Sequence, residues 1–197
     1  MTDLLPTWIQ NLSPIEQRLL VALLALTAML TLLYLFREPL RYRRETHRMT
    51  RVVRQMGARF RRNIVLPDGM GGDVRIDFLV LATDALLVIG VKRFDGMIFG
   101  SAQTDEWTQT VNSRSYKFPN PDTYLAQQVI AVRAVAPKAQ VRGLHLFTDT
   151  AEFPWDKPAN VLLLKDLYGS RNRRPSLKDI PADLRSAWTQ LRQHRRR

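Results

Sequence analysis

Residues 19–36, LLVALLALTAMLTLLYLF, run for eighteen positions without a charged side chain. As a helix rising ~1.5 Å per residue, such a run covers most of a ~30 Å hydrocarbon core. Trp8 and Tyr34 stand where interfacial aromatics would sit. Two other readings use the same residues. A signal peptide wants a basic start and a small-residue cleavage site, but Arg37 and Glu38 follow the run. A buried core helix is seldom this long without a charge. The expectation is therefore a transmembrane helix over 19–36. Ser13 and Pro14 suit a helix start just before it.

Charge then sets an orientation. The net +12 is unevenly spread. Residues 37–62 hold ten arginines against Glu38 and Glu45, and residues 171–197 hold nine basic side chains against two acidic ones. The intervening 63–170 are near balance, with ten basic and twelve acidic residues. Arginines directly after an apolar span favour the cytoplasmic side, so the short N-terminus is expected outside and the remainder inside. Basic blocks of this kind face anionic lipid, nucleic acid or solvent. Zero cysteines exclude a disulfide scaffold and thiolate metal sites. His47, His145 and His194 show no metal-ligand spacing, so a histidine-built centre is not expected.

Five segments follow from these patterns: 1–18, a short non-cytoplasmic N-terminus; 19–36, the membrane span; 37–62, a basic juxtamembrane helix; 63–168, the domain body; 169–197, a basic helix and tail. Pro39 marks the start of a second helix over 40–60, where Met49, Val52, Val53, Met56 and Phe60 fall on one face. Glu45, four residues before Met49, lies on that face. Strands are expected at Ile64–Leu66, Val74–Leu81, Leu86–Val91 and Met97–Phe99, with a hairpin at Thr83-Asp84 and edge pieces near Trp107 and Tyr116–Phe118. A helix near 122–136, strands at Val141–Phe147 and Asn160–Leu164, and a helix over 181–194 complete the order. The fold class is α/β, a mixed sheet flanked by helices, plus the membrane helix.

Within 73–100, DVRIDFLVLATDALLVIGVKRFDGMIFG, two apolar strands carry Asp77 and Lys92. Charged groups among buried neighbours cost several kcal/mol, about 3–5, when left unpaired. The bland explanation is a structural ion pair at the sheet edge. The other is chemistry.

These residues, in order, resemble the nuclease-related domain (NERD) family, usually placed in the PD-(D/E)xK, restriction-endonuclease-like superfamily. The resemblance covers about residues 45–165. It rests on Arg75-Ile76-Asp77-Phe78-Leu79-Val80, on Val88-Ile89-Gly90-Val91-Lys92, on Gly96-Met97-Ile98-Phe99-Gly100, on Trp107, on Phe118-Pro119-Asn120-Pro121 and on Gln127 or Gln128. It implies a restriction-endonuclease-like core and a centre in which Asp77 and a second acid hold Mg²⁺ through oxygen. The metal would polarise phosphate and activate water. Lys92 would stabilise the developing charge, with Gln128 and a helix carboxylate, Glu45, as further site residues. The local alternative for Glu45 is an ordinary ion pair with Arg41 or Arg48.

The chain departs from the family pattern at one position. Gly90 stands two residues before Lys92, where the family has glutamate. A glycine gives no ligand and weakens a strand. The resemblance thus implies a membrane-anchored nuclease-related domain engaging nucleic acid, with metal-dependent cleavage impaired or lost. One alternative is an active Mg²⁺ nuclease with a migrated acid, Asp95 or Glu106 being nearest in sequence. The other is a non-catalytic binding or scaffold protein at the inner membrane face.

Overall fold

The longest apolar run of the sequence forms one exposed helix. In a computed structural model, which describes residues 13–167 and 174–193, helix α1 spans Pro14–Gln55. Trp8, residues 168–173 and the basic tail His194–Arg197 lie outside the described residues. Ser13 and Glu16 cap the start of α1 reciprocally: Ser13 N donates to Glu16 Oε2 at 2.8 Å, and Glu16 N to Ser13 Oγ at 3.4 Å. The most apolar stretch of α1 has mean hydropathy 2.5 and no buried residue, so it is long and apolar enough to cross a membrane. The expected break at Pro39 is absent; Pro39 lies inside the helix. Proline's fixed φ is itself helical, and its cost is one lost N–H bond and a clash with the preceding turn, about 3 kcal/mol. The chain divides into two compact units, Met1–His47 and Arg48–Arg197.

In the second unit, strands β1 (Arg59–Pro67), β2 (Asp73–Leu81) and β3 (Leu86–Lys92) form an antiparallel meander. The turn at Thr83-Asp84 is closed by Ala82 N donating to Ala85 O at 3.0 Å. Strands β4 (Gly96–Phe99), β5 (Glu106–Val111) and β6 (Arg114–Pro119) follow. Helix α2 (Pro121–Val135) then returns the chain to β7 (Val141–Phe147), which pairs parallel with β3. The short β8 (Ala151–Glu152), β9 (Val161–Leu163), α3 (Leu164–Leu167), a 3₁₀ turn (Leu177–Asp179) and α4 (Ala182–Gln193) complete the unit.

The main sheet has the order β1-β2-β3-β7-β9 and is mixed, as the α/β reading requires. The expected edge pieces instead build a second sheet, β6-β5-β4-β8. One face of the main sheet packs Leu79, Leu86, Val88 and Val141 against α2 and α4, through Leu125, Val132, Leu184 and Leu191. The opposite face packs Phe78, Val80, Ile89 and Leu146 against Met49, Val52 and Val53, the expected apolar stripe of α1. An aromatic cluster joins the two sheets. Trp107 of β5 stacks on Phe147 of β7 at 6.4 Å, and Phe153 meets Phe147 edge-on at 5.1 Å.

Two motifs quoted above are explained by packing. Gly96 has φ +79° and turns the chain into β4; Gly100 lies where any Cβ would run into the Trp107 indole. Asn120 caps α2, accepting from Asp122 N at 2.9 Å, while its amide donates to Ser101 O at 3.3 Å and Thr104 O at 2.7 Å. Trp107 Nε1 donates to the same Ser101 carbonyl at 3.0 Å. The tryptophan and the Asn-Pro element thereby fix the 101–104 loop.

Candidate functional site

Period-2 alternation puts Gly90 and Lys92 of β3 on the sheet face covered by α2, with Val88 below them in the core. Pairing adds the neighbours on either side. Gly90 lies opposite His145 of β7. On the other side Phe78 faces Ile89, and one step further along the ladder brings Asp77 across from Gly90. Asp77 Oδ2 accepts from Val91 N at 2.8 Å, which anchors the carboxylate to β3. Asp77, Gly90 and His145 thus form a row across three strands.

Helix α2 closes the row from above. Gly143 lets it approach, since a Cβ there would meet Leu125 and Val129. Gln128 is 2% exposed. Its amide nitrogen donates to Arg75 O at 2.6 Å, and Tyr124 Oη donates to the same carbonyl at 3.1 Å. The resemblance left Gln127 and Gln128 open; only Gln128 is buried, while Gln127 is exposed. At the N-terminus of α2, Asp122 Oδ1 accepts from Asn160 Nδ2 at 2.6 Å and lies 2.9 Å from His145 Nε2.

This network leaves two polar atoms without partners among the described residues, Gln128 Oε1 and His145 Nδ1. Both face the same small hollow. A Cβ built on Gly90 would lie 3.6 Å from His145 Nδ1 and 3.8 Å from Gln128 Oε1, ordinary contact distances. A side chain therefore has room to leave the backbone at Gly90. Because the Gln128 amide nitrogen is committed to a carbonyl, Oε1 is an acceptor. With its Nε2–H donated to Asp122, neutral His145 also presents an acceptor at Nδ1.

Electrostatics follow burial. Burial holds the Lys92 ammonium below its ordinary pKa of 10.5, while the charges of Asp77 and then Asp122 act to raise it. Burial likewise lowers His145 below its usual 6.5, against the Asp122 hydrogen bond and charge, and the Lys92 charge lowers it further. His145 is accordingly neutral at pH 7.

Glu45, on α1 in the first unit, pairs with Arg41 one turn earlier at 3.2 Å, the local alternative weighed for it. Glu106, a candidate migrated acid, pairs with Lys117 across β5 and β6 at 3.2 Å. Asp95 is exposed in the turn after β3. The second carboxylate that acts on Lys92 is instead Asp122, which sequence reasoning did not single out; neither did it single out His145 or Asn160. No group of three or more His, Asp or Glu side chains converges to hold a metal among the described residues. Asp77 gives one carboxylate, and the two unpartnered atoms at Gly90 are an amide oxygen and an imidazole nitrogen. Mg²⁺ prefers carboxylates, water and near-octahedral oxygen, so this donor set does not fit a two-carboxylate Mg²⁺ centre.

The chain is 30% identical over 118 residues to an uncharacterized protein of Bacillus anthracis, a match covering 53% of this chain and 52% of that protein. The chain thus spans about half the length of the curated relative it matches. No solved structure matches it significantly. The model of the nuclease-related domain matches residues 43–148, more than half of the chain and all of the strands that carry Asp77, Gly90, Lys92 and His145, and the chain belongs to the nuclease-related domain family.

Proposed function

We propose that this protein is a membrane-anchored nuclease-related domain that engages nucleic acid, with metal-dependent phosphodiester cleavage impaired or lost. The observation that carries the reading is Gly90. It sits between Asp77 and His145, two residues before Lys92, with space for a side chain and without a carboxylate. A PD-(D/E)xK centre would place its second metal ligand there. Asp122 Oδ1 accepts from Asn160 and meets His145, which leaves only its Oδ2 for any ligand.

The support for phosphate contact is Lys92, an ammonium two residues from Gly90 on the same strand face, with Asp77 anchored beside it by Val91 N. Lys92 would contact a phosphate oxygen, and the basic stretches around the domain body would contribute charge. The apolar stretch of α1 would hold the protein in the membrane, N-terminus outside. The arginines at 37–62 favour the cytoplasm for the second unit. Those arginines and the C-terminal ones also suit anionic lipid.

The decisive experiment compares cleavage of single- and double-stranded substrates by the full chain in detergent with Mg²⁺ or Mn²⁺, against the Gly90→Glu variant. Wild type is expected to be inactive or nearly so, with activity rising in the variant. Robust wild-type cleavage abolished by Asp77→Ala would overturn the reading and favour an active centre.

A further inference from the structure

A second polar feature lies at the other end of the β-meander. Between the start of β1 and the outer side of α4 is a cavity of about 590 Å³. On α4, Arg185, Trp188, Thr189 and Arg192 line it, at spacing i, i+3, i+4, i+7, which is one stripe of a helix. The facing wall is Arg59, Phe60 and Arg61 of β1. Four guanidinium groups therefore border one cavity, and no lining residue is acidic.

Apolar contacts of Leu184, Ala187 and Leu191 hold α4 on the sheet, so its arginines are not needed for docking. Arg185 donates to Leu177 O at 3.5 Å, while Arg59 and Arg192 are exposed. Guanidinium is well matched to phosphate because its planar fork donates two parallel hydrogen bonds. The cavity is much larger than one phosphate and falls within the ~300–1,000 Å³ of small-molecule sites. Trp188, partly buried on the same sheet face as Arg59 and Arg61, adds an aromatic surface beside the cations. Cations next to aromatic faces are the pairing that holds a nucleotide, phosphate on one and base on the other.

We propose that this cavity binds a nucleotide unit, its phosphate held between the β1 and α4 arginines and its base against Trp188. The site is separate from Gly90. Arg59 pairs with Leu81, four residues along β2 from Asp77, or about 13 Å of strand. It uses none of the residues on which the proposed loss of cleavage rests, so either can fail alone. A free nucleotide and the end of a single strand offer the same chemistry.

The test is titration of the full chain in neutral detergent, following tryptophan fluorescence and equilibrium dialysis. The probes are AMP, ATP, a 5′-phosphorylated oligothymidylate and pyrophosphate. AMP or the oligonucleotide is expected to bind and quench fluorescence. In Trp188→Phe the quench disappears, and dialysis shows weakened binding. Arg59→Gln/Arg192→Gln changes two exposed side chains and is expected to weaken binding about tenfold or more without altering the melting temperature. AMP binding as tightly as the oligonucleotide assigns a free nucleotide; a tighter oligonucleotide assigns a strand end. The proposal is overturned if no nucleotide binds at millimolar concentration, or if the arginine variant binds like wild type. Pyrophosphate matching ATP while AMP fails to bind would also overturn it, as would binding only to phosphatidylglycerol vesicles.

Discussion

His145 and Asp122 meet at 2.9 Å through the imidazole Nε2, which turns the other ring nitrogen toward Gly90. A strand from the second half of the sheet and the first turn of α2 are thereby tied together behind Lys92. The pair is held neutral on the histidine side by burial, and that has a consequence for stability.

Folding lowers the pKa of His145 below its unfolded value. The unfolded chain therefore takes up this proton first as pH falls. The stability contributed by neutral His145 is complete above about pH 6.5 and is lost as pH drops toward the folded-state pKa. Thermal melts from pH 8 down to 5 should show this loss in the wild type. His145→Gln, which cannot titrate, should be less stable at pH 8 yet show a shallower decline. Parallel declines in the two proteins would count against a buried neutral imidazole.

Lys92 is expected to trade stability for charge. Burial works against its ammonium, and a lowered pKa means that the charged form is disfavoured by folding. Lys92→Met should raise stability by about 1 kcal/mol, as often follows when a functional-site conflict is removed. It should also weaken binding of nucleic acid. Denaturant unfolding and a filter-binding assay on one preparation would check both signs.

The hollow at Gly90 gives an order of variants rather than a single value. Ala fits sterically but covers two acceptors without giving either a donor. Ser fits as well and brings a hydroxyl proton within reach of one of them. Gly90→Ser should therefore exceed Gly90→Ala in stability by about 1 kcal/mol, measured by urea midpoints at constant slope.

Two positions belonging to the family resemblance should behave as structure alone. Gly100→Ala drives a methyl into the buried Trp107 ring, an overpacking expected to cost about 1–3 kcal/mol. Asn120→Ala removes the α2 cap and two bonds to the 101–104 loop, for about 2–4 kcal/mol in all. Nucleic-acid binding measured well below each variant's melting temperature should be unchanged.

Asp77, Gly90 and Lys92 were legible in the sequence because alternation along a strand fixes which residues share a face. The α1 stripe of Met49, Val52 and Val53 was legible for the equivalent helical reason. The second sheet was not. Its strands were expected only as edge pieces near Trp107 and Tyr116–Phe118; β6, exposed at all but one position, buries no face that would assign it to a sheet of its own. His145 and Asp122 were missed because each looks ordinary in isolation, one within a buried strand and one in the first turn of a helix. Their significance comes from the β3–β7 pairing, which joins residues 55 positions apart, Gly90 and His145. The continuous α1 was not legible because Pro39 reads locally as a helix start, and its helical φ fits a helix interior equally.

Arg174 donates to Gly57 O at 3.2 Å and to Ala58 O at 2.8 Å, clasping the backbone corner that leads into β1. Ile180, Leu184, Ala187 and Leu191 beyond it belong to the same core as Leu79 and Val88. The family match ends at residue 148, but the piece of chain that closes its own hydrophobic interior does not. A fragment cut at that limit would lose β9 and α4 and leave Leu86, Val88 and Val141 partly uncovered. The heritable motif and the unit that must fold together are of different length, and excision or grafting of this domain has to carry the stretch through Gln193.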